Sequence, residues 1–183
     1  MAAEETSKRE WLVLVYRVPS DPTRLRATVW RRLRTLGAVY LQNSVTALPA
    51  GAGAERALRK LRHDIIEMGG SAVLMRSEAL VGEAEVLSAF QAARDDEYDE
   101  IVDRCRDFLT QVEKEHVARH FTFAELEENE VDLVKLQNWF AKVRDRDAFG
   151  APGRAQAEAA LEECAAALEG YAARVYQEES DAH

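Results

Sequence analysis

The spacing of apolar residues changes once along this chain, near residue 80. Before that point, short extended runs alternate with helical segments, and after it only the helical spacing of three to four residues remains. The longest helical stripe, from Val86 to Val112, continues for about eight turns without a proline or glycine. This change predicts an α+β protein in two parts: a mixed domain at residues 10–80 and a helical bundle at residues 81–183.

The first part has a recognisable element order. Trp11–Val18 is a β-branched and aromatic run, which is typical of a buried strand. Polar residues 42–44 interrupt a second extended run and indicate two strands joined by a tight turn. The strands are predicted at 11–18, 38–48 (as two) and 71–76, and the helices at 23–36 and around 58–68. The resulting order, β-α-β-β-α-β, predicts a ferredoxin-like sandwich.

The second part contains three helical stripes joined by short connections. Thr122 and Glu125 have the spacing of a capping box and predict the start of the second helix. Pro152 and Gly153 separate that helix from an alanine-rich third one at 157–176. Long helices with short connections are expected to pack as an antiparallel bundle. Asn129 falls on the second apolar stripe and is a candidate polar core residue that fixes helix register.

Charge is distributed unevenly between the two parts. Residues 1–80 contain 13 Lys/Arg and 8 Asp/Glu, whereas residues 81–183 contain 11 Lys/Arg and 25 Asp/Glu. The basic half is therefore a candidate surface for a polyanion, and pairing between the two halves is the alternative interpretation. No apolar run is long enough for a membrane span, there is no secretory signal, and two cysteines do not make a disulfide framework. We expect a cytoplasmic protein with no membrane contact.

The residues that most often perform catalysis form no recognisable set. His116 and His120 have metal-compatible spacing but lack a third ligand, and the acidic run near residue 128 is explained by the helix dipole. Nucleotide-binding and nucleophile motifs are absent, so no catalytic residue, metal or cofactor is predicted. Arg94 is unusual because it falls on or beside an apolar stripe. It requires either a structural acidic partner, such as Glu97, or a ligand.

Several segments together resemble one known family. They are residues 11–19, 29–33, 36–45, 67–70, 92–98, 125–130 and 146–152. The combination, which covers about residues 10–178, resembles the N-terminal domain of the ChrB chromate-resistance regulators. That resemblance implies a cytoplasmic regulator that binds DNA near a chromate-efflux operon and responds to the oxyanion. Longer members carry a second domain, so the roles of that domain are not transferred, and a separately encoded partner domain is an open alternative.

The first half is also similar to two other ferredoxin-like groups. One is the C-terminal part of the PaaX-type phenylacetate repressors, and the other is the small CRISPR-associated adaptation nuclease. The nuclease family holds metal with an aspartate at the end of its first strand, where this chain has Arg17-Val18. A cation at that position repels a divalent metal, so we expect no nuclease activity, although a homodimer is still implied.

Three functional hypotheses follow from the residues and the resemblance. The first is a dimeric, chromate- or oxyanion-responsive transcriptional regulator. Its candidate oxyanion contacts are Arg17, Arg24, Arg26 and Arg94, because a tetrahedral dianion needs several guanidinium donors. Its candidate promoter-DNA contacts are Arg31, Arg34, Arg59 and Arg62. The other hypotheses are a metal-dependent nuclease or oxyanion-modifying enzyme, and a protein-interaction module that does not bind DNA itself.

Overall fold

The computed structural model describes residues 9–181. The first compact unit contains a four-stranded antiparallel sheet and two helices. The strands are β1 (Glu10–Arg17), β2 (Val39–Gln42), β3 (Val45–Pro49) and β4 (Ser71–Glu78), and the helices are α1 (Arg24–Leu36) and α2 (Ala52–Glu67). The strand order is β2-β3-β1-β4, so β1 and β2 flank β3 and the crossovers are those of a ferredoxin-like sandwich. The predicted α+β class is confirmed.

Leucines from the sheet and apolar residues from both helices form the core of this unit. Leu12 and Leu14 of β1 lie against Val29 and Leu33 of α1 and against the apolar stripe of α2. The opposite face of the sheet is partly covered, since Trp11 stacks on Phe90 with ring centroids 5.4 Å apart. Alternation along β1 therefore places successive side chains on the two faces of the sheet.

The residues at the helix ends and turns of this unit suit the backbone conformations found there. Gly37 ends α1 in the left-handed conformation, which glycine adopts without steric cost. Ser44 also has a positive φ of 64° in the tight turn that separates β2 from β3. α1 begins at Arg24, and its N-cap, Thr23, makes no side-chain capping bond. Gly70 is required sterically, since a Cβ there would lie 2.3 Å from the carbonyl oxygen of Arg17.

Three long helices follow within the described residues: α3 (Glu83–Val117), α4 (Phe123–Asp145) and α5 (Arg154–Asp181). Thr122 caps α4 by accepting a hydrogen bond from the backbone N–H of Glu125, as the capping-box spacing predicted. Their apolar stripes meet in one core that includes Ile101, Cys105, Val143 and Cys164. The stripes predicted from periodicity are therefore the buried ones.

Contacts between the helices establish their directions. The side chain of Arg146, just after α4, contacts Glu97 near the start of α3, whereas Asn129 near the start of α4 contacts Glu115 near the end of α3. The two helices are therefore antiparallel. Gly153, just before α5, donates to Asp95 in the first half of α3, and Tyr171 of α5 donates to the carbonyl oxygen of His120, just after α3. α5 therefore runs parallel to α3 and completes an up-down-up bundle.

The chain divides into two compact units between Phe90 and Gln91, so the first turns of α3 belong to the first unit. The limits 10–80 and 81–183 drawn from the sequence remain a prediction about independent domains. No helix within residues 9–181 is both long and apolar enough to cross a membrane.

Candidate functional site

Two segments that carry the family resemblance meet in the helical unit. One is residues 92–98 in α3, and the other is residues 146–152 in the connection from α4 to α5. They are distant in sequence, but the antiparallel arrangement of α3 and α4 brings the first half of α3 beside the end of α4. The helix pairing therefore builds a polar cluster from charged residues that both segments contribute.

A buried carboxylate joins two arginines at the centre of this cluster. Glu97 Oε1 lies 3.0 Å from Arg94 Nη2, and Glu97 Oε2 accepts a hydrogen bond from Arg146 Nη2. Arg94 is 4% exposed and Glu97 is 5% exposed, so the pair is desolvated. Of the two alternatives for Arg94, the structural one is observed, since the side chain faces inward and pairs with Glu97. We call Arg94, Glu97 and Arg146 the arginine cluster.

The arginine cluster has more donors than acceptors. Nε and Nη1 of Arg94 and Nε of Arg146 are buried and have no hydrogen-bond partner among the described residues. Burial lowers the pKa of Arg94, the Glu97 carboxylate opposes that change, and the Arg146 charge adds to it. The two guanidinium groups share the Glu97 carboxylate, and the charge of Asp147 also acts on Arg94. What this cluster offers to an additional anion is therefore a set of unused guanidinium hydrogen-bond donors.

Neighbouring acids hold the connection after α4 against α3. Asp147 accepts hydrogen bonds from the Tyr98 hydroxyl (3.1 Å) and from the backbone N–H of Ala151 (3.0 Å). Burial raises the pKa of Tyr98, and the adjacent Asp147 raises it further, so the phenol remains the donor. Asp95 accepts from the backbone N–H of Gly153 at 2.7 Å, and a Cβ on that glycine would lie 2.9 Å from the same oxygen. These contacts fix the backbone that carries Arg146.

Sequence reasoning identified Arg94 but missed Arg146. The signal was present, because Arg146 comes three residues after Val143 and continues the apolar stripe of α4 by one helical step. Periodicity does not indicate the partner of Arg146, which is Glu97. Only the pairing of α3 with α4 shows that the same carboxylate serves both arginines.

The remaining candidate oxyanion contacts lie in the first unit, at the end of β1 and the beginning of α1. Arg17 pairs in register with Ser71, and Arg24 and Arg26 occupy the first turn of α1. All three are exposed, and Arg26 donates to the carbonyl oxygen of Ser20 at 3.2 Å. Arg94 belongs to the other unit. Joint action of Arg24 and Arg94 on one anion remains a prediction.

The candidate DNA contacts form two pairs on the helices of the first unit. Arg31 and Arg34 are exposed on α1, and the Arg34 guanidinium lies over the Trp30 ring at 5.4 Å. Arg59 and Arg62 of α2 line a cleft of about 300 Å³ together with Arg76 of β4, which the sequence did not single out. These arginines remain predictions as DNA contacts.

The cleft is already partly neutralised. Arg59 pairs with Glu55 at 2.7 Å, and Arg76 reaches both Glu55 and Glu10 at 2.7 Å. Arg62 donates through Nε to the carbonyl oxygen of Ala72 and has no carboxylate partner among residues 9–181. Arg62 is therefore the member of the cleft with the most charge left for a phosphate.

The described residues contain no group of three His, Cys, Asp or Glu side chains that could hold a metal. His116, half of the possible histidine pair, packs edge-to-face against Phe121 at 5.1 Å. Cys105 and Cys164 are both buried, and burial raises the pKa of Cys164 to about 12. Neither thiol has the exposed, electropositive surroundings of a reactive cysteine.

Fold and cluster together define a class: a ferredoxin-like unit followed by a three-helix bundle that contains a buried, donor-rich arginine cluster. The family model described as Protein ChrB, N-terminal, matches residues 26–182. The chain therefore belongs to the ChrB N-terminal family, which associates it with chromate resistance. No curated protein matches the chain significantly.

Proposed function

We propose that this chain is a regulator that responds to a tetrahedral oxyanion, with the arginine cluster as its sensing site. The observation that supports the proposal is the set of three buried guanidinium nitrogen atoms of Arg94 and Arg146 that have no acceptor within the described residues. A buried donor without a partner is costly, and retention of several at one place favours a ligand over a purely structural role. Chromate is the oxyanion that family membership favours.

Charge indicates how such a ligand would act. The two guanidinium groups can balance a dianion, but the Glu97 carboxylate already occupies one donor of each. An incoming dianion therefore competes with Glu97 for Arg94 and Arg146. Arg146 begins the segment that Asp95 and Asp147 hold against α3. Displacement of Glu97 then changes the contacts of the α4–α5 connection, which is a local change of the kind that switches use.

Calorimetric titration of the full chain with chromate tests the sensing site. We expect Arg94→Met and Arg146→Met each to weaken binding about tenfold or more, because each removes donors that only the ligand would use. Arg106→Met is the matched control, since Arg106 is exposed on α3 and pairs with Asp103. Sulfate and molybdate establish whether the site is selective. Equal chromate affinity in all four proteins would reject the arginine cluster as the sensing site.

The regulatory part of the proposal requires DNA contact by the first unit. Arg31 with Arg34, and Arg62 with Arg59, offer two exposed basic pairs on the helices. The net charge of −9 weakens non-specific attraction, so a measurable complex is expected mainly at low salt. We expect Arg31→Ala with Arg34→Ala to reduce binding to the promoter of the chain's own operon in a gel shift.

The same gel shift separates this proposal from its alternatives. Binding that chromate changes, and that Arg94→Met makes insensitive to chromate, supports a sensor that controls DNA. Absence of any shift at low salt, with and without chromate, rejects direct DNA regulation and favours a protein-interaction module. Metal-dependent cleavage of the DNA probe would favour the nuclease hypothesis.

A further inference from the structure

A cavity separate from the arginine cluster lies between α3 and α4. Its volume is about 380 Å³, within the range of sites for small organic molecules. Phe108, Leu136 and Trp139 give it an apolar and aromatic wall, and Gln111 and Asn129 supply its uncharged polar groups. The composition is that of a binding site for a compact molecule with an apolar body and one polar end.

The charged residues at the rim of the cavity neutralise one another. Arg104 pairs with Asp107 at 3.4 Å, and Lys135 pairs with Asp132 at 2.8 Å. All four are largely exposed, so water screens what charge remains. The rim therefore favours neither an anion nor a cation strongly.

The unbalanced charge lies behind the cavity, on Glu115. This glutamate is 6% exposed, and its two oxygens accept hydrogen bonds from Gln111 Nε2 (2.8 Å) and Asn129 Nδ2 (2.7 Å). None of the described lysine, arginine or histidine side chains forms an ion pair with it. The nearby Tyr171 is affected by that charge, since burial and then Glu115 raise the pKa of its phenol. A buried carboxylate with neutral partners favours a cation close by.

The hydrogen bonds to Glu115 also determine which atoms the cavity offers. A carboxylate can only accept, so both amide side chains direct their nitrogen atoms to Glu115. Their carbonyl oxygens, Gln111 Oε1 and Asn129 Oδ1, are then the amide atoms left for a ligand in the cavity. Two acceptor oxygens in front of a buried negative charge select a ligand head group that donates hydrogen bonds and carries positive charge.

We propose that this cavity, which we call the amine site, binds a small amphipathic monocation. The class is a primary ammonium or amidinium on an aromatic or aliphatic body of about ten heavy atoms. The cationic head donates to the carbonyl oxygens of Gln111 and Asn129, roughly 7 Å from the Glu115 carboxylate along that path. The body packs against Phe108 and Trp139, where an aromatic face also attracts the cation.

Titration of the full chain with 2-phenylethylamine, followed by NMR, tests the amine site. The side-chain amide signals of Gln111 and Asn129 and the indole N–H signal of Trp139 are expected to shift together. 2-Phenylethanol is the neutral comparison ligand with the same body. The amine is expected to bind about tenfold more tightly or better, because only the amine gains from the buried charge. Equal binding of amine and alcohol, or no shift at the cavity with millimolar amine, would overturn the proposal.

Three variants keep the test independent of folding defects. Glu115→Gln removes the charge at constant size, and the preference for amine over alcohol is expected to fall below about twofold. Glu113→Gln, which changes an exposed acid on the same helix, is expected to keep the preference. If Glu115→Gln loses helical structure, Gln111→Leu replaces an exposed amide that contributes one carbonyl oxygen. A preference unchanged in Gln111→Leu would then overturn the proposal.

Discussion

Replacement of the two members of the Arg94–Glu97 ion pair should have very unequal consequences for stability. Glu97→Gln keeps the size of the side chain and removes the one carboxylate that two arginines share. Arg94→Met keeps most of the volume of the arginine, removes its charge, and leaves Glu97 paired with Arg146. We expect the first variant to be strongly destabilised and the second to fold with nearly wild-type stability.

The magnitudes follow from the contacts of each residue. The Arg94–Glu97 attraction at 3.0 Å is about 5 kcal/mol at an effective dielectric constant near 20. Opposing it are two unpartnered nitrogen donors of Arg94, each costing about 1–3 kcal/mol, and the desolvation of the charge. These contributions nearly cancel, so Arg94→Met should change the free energy of unfolding by about 1 kcal/mol or less. Glu97→Gln leaves two arginines without an anion and should cost about 3–5 kcal/mol.

Thermal unfolding monitored by circular dichroism at the helical band measures both effects. For a chain of this length, a loss of about 3 kcal/mol lowers Tm by roughly 6–12 °C. The asymmetry between the variants is the critical observation, because it separates a residue retained for a ligand from one retained for the fold. If Arg94→Met lowers Tm as much as Glu97→Gln does, Arg94 is a structural residue and the sensing site is misassigned.

Three further predictions concern the rest of the structure. Gly70→Ala should lower the free energy of unfolding, measured with urea, by about 3 kcal/mol or more, because its Cβ would overlap the Arg17 carbonyl oxygen. Gly170→Ala in α5, which has open space around it, should raise that free energy by up to about 1 kcal/mol, and equal effects of the two substitutions would contradict this reasoning. Cys164 has its pKa raised from 9.0 to about 12 in the folded chain, so the unfolded thiol ionises first and stability should fall as pH rises from about 9 to 12. That decline should be shallower in Cys164→Ala, and native Cys164 should react with iodoacetamide only after unfolding. Thr122→Ala should cost about 1 kcal/mol by loss of the α4 cap, and no change in Tm would show that the cap is unused.

The uneven charge of the two halves has a partial explanation within each unit. In the first unit, Arg32 pairs with Asp64, and Arg59 and Arg76 pair with Glu55. The burial and geometry of these pairs matter more than the number of charged residues, because exposed ion pairs contribute little to stability. The arginines that remain for a polyanion are therefore a subset that the charge balance alone did not identify.

Local sequence patterns determined the elements of this protein and their order. The alternating run that begins at Trp11, the polar interruption before Val45 and the glycine at position 37 each specify a local backbone state. Periodicity also placed Arg94 on the buried side of α3, since one helical face is fixed by residue spacing alone. These features depend on residues that are neighbours in the sequence, so they can be predicted from a single sequence.

Tertiary structure alone decided which distant residues share a site. Arg146 and Glu97 are 49 residues apart, and Glu115 and Asn129 are 14 apart, so no local rule connects them. Of these residues, periodicity placed Asn129 on an apolar stripe, and a stripe specifies only that a side chain is buried. The packing of α4 antiparallel to α3 selects which side chains pair. That pairing determines which donors of Arg94 and Arg146, and which acceptors of Gln111 and Asn129, remain for ligands. Residue spacing on one helix determines which side chains are buried. Whether a buried donor or acceptor finds a partner depends on the two helix faces that pack together.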